Sequence, residues 1–86
     1  MSREAVIEKY QRIYESSPEK SLEWCNARDV SGCGGDTSLL RQQQEWLRTG
    51  AEASGVALDE EHGTYGTYCY RRIELLEVAI SELEVE

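Results

Sequence analysis

Phenylalanine is absent, and proline and histidine occur once each. Without Phe, the large apolar groups are Leu, Ile, Val, two Trp and five Tyr. Trp and Tyr each carry a polar atom that needs a partner or water, so some of them belong at the edge of a core. No apolar run approaches the roughly 20 residues of a membrane-spanning helix. Met1 is followed by Ser2-Arg3-Glu4 with no hydrophobic stretch behind it, so a cytoplasmic protein is the expectation. Three cysteines, Cys25, Cys33 and Cys69, are an odd number and do not make a closed disulfide framework. Reduced thiols fit the same compartment.

Bases are scarce in the second half. Residues 1–48 hold eight acids against seven bases, whereas residues 49–86 hold nine acids against two, for a net charge of -8 over 86 residues. This sign disfavours direct binding to nucleic acid or to an anionic membrane. It favours solubility, and it suits a partner with a basic surface.

The length fits one domain, residues 1–86, whose small core buries only about 60–65% of the unfolded surface. The patterning predicts an all-α bundle of three main helices and one short one. Ser2 caps a first helix over Arg3–Glu15, with Val6, Ile7, Tyr10, Ile13 and Tyr14 on one stripe. Ser17-Pro18 stops it and opens a short second helix that ends near Ala27 or Arg28. Three glycines among residues 32–35 mark a loop, after which Asp36 or Thr37 caps a third helix reaching Thr49 or Ser54. Leu39, Leu40, Trp46, Leu47 and Ala51 form its expected apolar side. In the last helix, Cys69, Ile73, Leu76, Ile80 and Leu83 are spaced 4, 3, 4, 3, a seam for helices packed side by side, widened by Leu75 and Ala79. That helix is expected from Thr67 onward. A short hairpin within residues 56–70 is the other conformation this composition allows, because Thr64, Tyr65, Thr67, Tyr68 and Tyr70 are good strand formers.

Chemistry-bearing patterns are few. Cys25, Cys33, Cys69 and His62 are zinc-ligand types, but seven and six residues separate the nearest pairs, and structural zinc sites pair ligands two to four apart. No metal or other cofactor is therefore expected. A Cys69–His62 catalytic pair would need both on adjacent turns across Gly63 and Gly66, and Cys69 already belongs to the apolar seam, so a non-enzyme is expected. The Gly-rich stretch before Asp36 lacks the Gly-Lys-Ser/Thr ending of a phosphate loop.

What remains is the acidic C-terminal half. Asp59, Glu60 and Glu61 form a cluster, Glu74, Glu77 and Glu82 decorate the last helix, and Tyr65, Tyr68 and Tyr70 lie between them. Tyr is favoured at interfaces for its large, rigid, amphipathic surface. These nine residues are the expected partner-binding set. The function they point to is a non-catalytic protein that docks on a basic surface of another protein. Its most concrete form is a small inhibitor, of the kind viruses use, that imitates nucleic acid. An assembly protein pairing through the last helix's seam, as a homo-dimer for instance, and a small zinc module are the alternatives.

Overall fold

The computed structural model describes residues 2–55, 58 and 65–85. Ser2 Oγ accepts from the Ala5 N–H at 3.2 Å and starts α1, Arg3–Ser16. Ser17, extended ahead of Pro18, ends it.

The second helix corrects the sequence expectation. Ser17-Pro18 stops α1 without starting α2. The chain first turns through Lys20, which takes a left-handed φ of 70°, and Ser21 then caps α2, Leu22–Gly32, by accepting from Trp24 N–H at 3.1 Å. A second serine cap four residues downstream displaces the first. α2 also continues past Arg28, because Asn26, Ala27 and Val30 are buried and hold that turn against the core.

The glycine loop makes the next corner. Gly34 and Gly35 have φ of 61° and 75°, and Gly35 N–H bonds back to the Val30 carbonyl. Asp36 caps α3, Thr37–Ala53, through Ser38 and Leu39 N–H. Gly55, at φ 72°, follows its end in the left-handed conformation common there. α4 spans Tyr65–Glu84, so it begins before Thr67 and includes Tyr65, Tyr68 and Tyr70. These residues are helical and do not form the hairpin; Val56 and Ala57 lie outside the described residues.

α1 packs chiefly on α2 and α3 chiefly on α4, and the two pairs join through α2 and α1 against α4. One buried cluster draws on all four helices: Val6 and Tyr10, Ala27 and Val30, Leu40, Leu47 and Ala51, and Cys69, Leu76, Ala79, Ile80 and Leu83. The radius of gyration, 13.0 Å, is that of a packed chain of this size. The α4 seam is thus the chain's own core.

α3 faces inward on Leu40, Gln44, Leu47 and Ala51, again at 4, 3, 4 spacing. That phase turns the neighbouring row outward, so Leu39 and Trp46 leave the core against expectation, and Trp46 is 73% exposed. Gln44 takes an inward position because its Nε2 donates to the Ile73 carbonyl of α4 at 3.1 Å.

Candidate partner-binding face

The expected binding residues separate into distinct environments. Asp59, Glu60 and Glu61 lie outside the described residues. Tyr65 is exposed at the start of α4, its ring stacked on Tyr68 at 6.0 Å. The Cys69 thiol beside its hydroxyl pushes Tyr65 above the usual tyrosine pKa. Tyr68 turns inward, with its hydroxyl 3.9 Å from Cys25 Sγ and accepting from Arg72 Nη1 at 2.9 Å.

Arg72 is the residue the sequence reading overlooked. It is 2% exposed, and its guanidinium bonds Asp29 Oδ2 of α2 and lies over the Tyr68 ring. A signal was available, since Arg72 lies three residues after Cys69 and four before Leu76, inside the seam. Asp29 likewise sits among Cys25, Ala27 and Val30. A charged residue on each of two apolar stripes is the pattern of a buried pair. This pair, with Tyr68 and Cys25, locks α2 to α4 from within.

Glu82 is also engaged within the chain. Its carboxylate accepts from Lys9 Nζ at 2.6 Å and from the Tyr10 hydroxyl at 2.5 Å. Burial alone would raise its pKa, but the two donors outweigh burial and hold it below the ordinary carboxylate value. Tyr10 is pushed far up by burial and by the same carboxylate. Glu82 is therefore a latch between α1 and α4, and less a free partner-binding group than expected.

Glu77 and Glu84 face α3, where Arg41 reaches both, at 3.8 and 3.0 Å. Glu74 is exposed, and no ion pair holds it among the described residues. It lines a groove of about 430 Å³ between α2 and α4. Leu22, Leu75 and Val78 supply apolar walls, Tyr70 closes one end, and Glu23 of α2 and Arg71 of α4 also line it. Glu23, Leu75 and Val78 are shared with a smaller cleft of about 190 Å³ that runs on to Ile13 and Glu82. Asn26 lines that cleft. It is 4% exposed, and its Oδ1 has no hydrogen-bond partner.

A second depression, of about 370 Å³, lies between α2 and α3 beside Trp46, Leu39 and Cys33. Among the described residues, no group of three or more His, Cys, Asp or Glu side chains could hold a metal ion. His62 is outside them. All three cysteines are free thiols. No helix among the described residues is long and apolar enough to cross a membrane.

The fold and the face together define a small all-α domain with a mixed acidic and apolar groove. No protein-family model matches the chain, nor does any curated protein or solved structure.

Proposed function

We propose that this chain is a non-catalytic binding protein that engages a positively charged partner protein through the outer side of α4. The observation that carries this reading is the exposed row Glu74, Glu77 and Glu84, in which Arg41 pairs with Glu77 and Glu84 and no ion pair holds Glu74 among the described residues. The row lies in the half of the chain where acids outnumber bases nine to two. A partner that brings cations to this face gains long-range attraction and faster association.

The form of this reading in which the face imitates nucleic acid, as in a virus-type inhibitor, has less support. The three carboxylates are unevenly spaced along the helix, roughly 4.5 and 10.5 Å apart at 1.5 Å per residue. Val78 and Ser81 interrupt the row. A mixed polar and apolar contact between proteins suits the face better.

The test is capture from host extract on immobilised protein, comparing wild type with the double variant Glu74→Lys/Glu77→Lys. The reading expects the captured proteins to be basic, to be lost with the variant, and to weaken steeply with added salt. Capture that survives both changes refutes it.

A second reading is self-association. The α4 seam is taken up by the chain's own core, so pairing would use another surface. The exposed Leu39 and Trp46 are one helical repeat apart on α3 and favour that strip. Sedimentation over a range of concentrations, with Trp46→Lys as control, tests it: a concentration-independent monomer removes this reading.

A further inference from the structure

We infer that the groove between α2 and α4 is a receptor for a basic amphipathic helix presented by the partner. The inference rests on the proposed function and adds the shape and chemistry of the bound segment.

Four features of the groove argue for this occupant. Leu22, Leu75 and Val78 give it apolar walls, and Val78 is 56% exposed there. Its charged lining residues are Glu23 of α2 and Arg71 and Glu74 of α4, so acids outnumber bases two to one, and no ion pair holds either carboxylate among the described residues. A neutral apolar ligand would cover two carboxylates with one guanidinium, Arg71, in the lining, whereas flanking lysines or arginines would pair the excess negative charge. Next, the α4 residues along the groove and its continuation run from Tyr70 to Glu82. Twelve residues at 1.5 Å each give about 18 Å, the length of a bound helix of three turns. Finally, Asn26 Oδ1 is a buried acceptor without a donor at the α1 end of this path. Such atoms are rare in folded proteins, because each carries a desolvation cost. A lysine, arginine or amide donor on the incoming helix would satisfy it.

The Leu39–Trp46 depression offers apolar surface too. Among the described residues its only acid, Asp29, is already bonded to Arg72 and to Arg28, which lines the depression too, so it lacks the charge that selects a basic ligand.

The experiment uses the whole chain, labelled with 15N, and a synthetic peptide of about 14 residues, roughly four helical turns. Its leucines recur at helical spacing and lysines fill the other positions. A shuffled peptide of the same composition, with no apolar stripe, is the control. The expected result is a saturable shift of the backbone resonances of Leu22, Glu23, Tyr70, Glu74 and Val78, and of the Asn26 side-chain amide. Affinity should fall about tenfold in Val78→Gln, which removes apolar contact at an exposed position without adding charge. It should fall about threefold or more in Glu23→Gln/Glu74→Gln at low salt.

Equal binding of the shuffled peptide, unchanged affinity in Val78→Gln, or shifts centred on Leu39 and Trp46 would each overturn the groove. If the groove fails while Glu74→Lys/Glu77→Lys still abolishes partner capture, the acidic-face reading stands without it. If neither set of substitutions matters, both fall.

Discussion

Replacing Asp29 with alanine should destabilise this protein by about 3–4 kcal/mol. The Arg72 side chain is 3% exposed, and Asp29 supplies its one carboxylate among the described residues. Without Asp29, the guanidinium keeps the Tyr68 hydroxyl at 2.9 Å and the face of the Tyr68 ring, but no counter-charge. Leaving a buried charge unpaired costs about 3–5 kcal/mol. Alanine returns roughly 0.5 kcal/mol as a better helix former. At 0.05–0.15 kcal/mol per residue, a chain of 86 residues has about 4–13 kcal/mol in total. A loss of about 3–4 kcal/mol therefore removes a large share of the stability. With a urea slope near 1 kcal/mol per M for so small a domain, the unfolding midpoint should drop by about 3 M. Asp29→Asn, which keeps an acceptor, should fall between wild type and Asp29→Ala and serves where the alanine variant is unfolded at the outset. Arg72→Met should cost much less, because it removes the ion that must be kept dry and leaves Asp29 near Arg28 at 3.4 Å. The double variant Asp29→Leu/Arg72→Met should lie close to wild type, since well-packed apolar groups replace buried pairs at little cost. Urea melts followed by circular dichroism measure all four. If Asp29→Ala costs under about 1 kcal/mol, or the double variant costs as much as Asp29→Leu and Arg72→Met made singly and added, the pair is not a buried, coupled unit.

Two further perturbations test the corners of the fold. At Gly35, φ is +75° and an added Cβ would lie 3.0 Å from Ile7 Cδ1 and 3.2 Å from Leu83 Cδ2. At Gly34, φ is +61° with no atom within 4 Å. Gly34→Ala should cost about 1 kcal/mol from backbone strain alone, and Gly35→Ala about 1–3 kcal/mol more. The melting temperature should separate the two by at least about 4 °C; equal melting would show that α1 and α4 do not close on this loop. The Glu82 latch should appear as pH dependence. Its folded pKa lies below the unfolded one, so its stabilisation is full above the unfolded value, near 4.3, and is lost as pH falls through the folded value. Glu82→Gln should be less stable than wild type at pH 7, and the gap should close on acidification. A gap that widens as pH falls would refute the latch.

The sequence carried most of the fold because three of the four helices announce themselves, α1 through cap and stripe, α3 through its cap and α4 through its seam. Ser2, Asp36 and the Cys69–Leu83 seam are each found where local chemistry places them. The start of α2 was misplaced because Ser17-Pro18 has the chemistry of a cap and a first helical residue, while the cap that is used is Ser21, after the left-handed turn at Lys20. α3 misled for a related reason. Its two apolar rows, Leu39 with Trp46 and Leu40 with Leu47, differ by one residue, or 100° of rotation. The row that wins contains Gln44, and its bond to Ile73 involves a helix 29 residues away. The candidate face was legible in its residue types and not in which residues are exposed on it. Acid, tyrosine and apolar surface do meet on α4, yet Tyr68 and Glu82 are taken by Arg72 and Lys9, and Glu23 and Asn26 enter from α2, which charge counting in the C-terminal half ignores.

The ionic lock and the groove occupy the same junction. Cys25 and Asp29 meet Tyr68 and Arg72 on its inner side, while Leu22 and Glu23 line the groove with Tyr70, Glu74 and Val78 outside. The helices are the same, so the register that the lock imposes on α2 against α4 also sets the width of the groove. Apolar side chains in place of Asp29 and Arg72 could hold the helices together as strongly, but they would tolerate sliding that a directional charge pair does not. On this argument the lock contributes little net stability and much to the shape of the site. Asp29→Leu/Arg72→Met, made for the stability cycle, is therefore also the variant to carry into the peptide titration. Stability near wild type with peptide affinity reduced severalfold would tie the buried charge to binding. Unchanged affinity would mean that the groove keeps its form through packing alone.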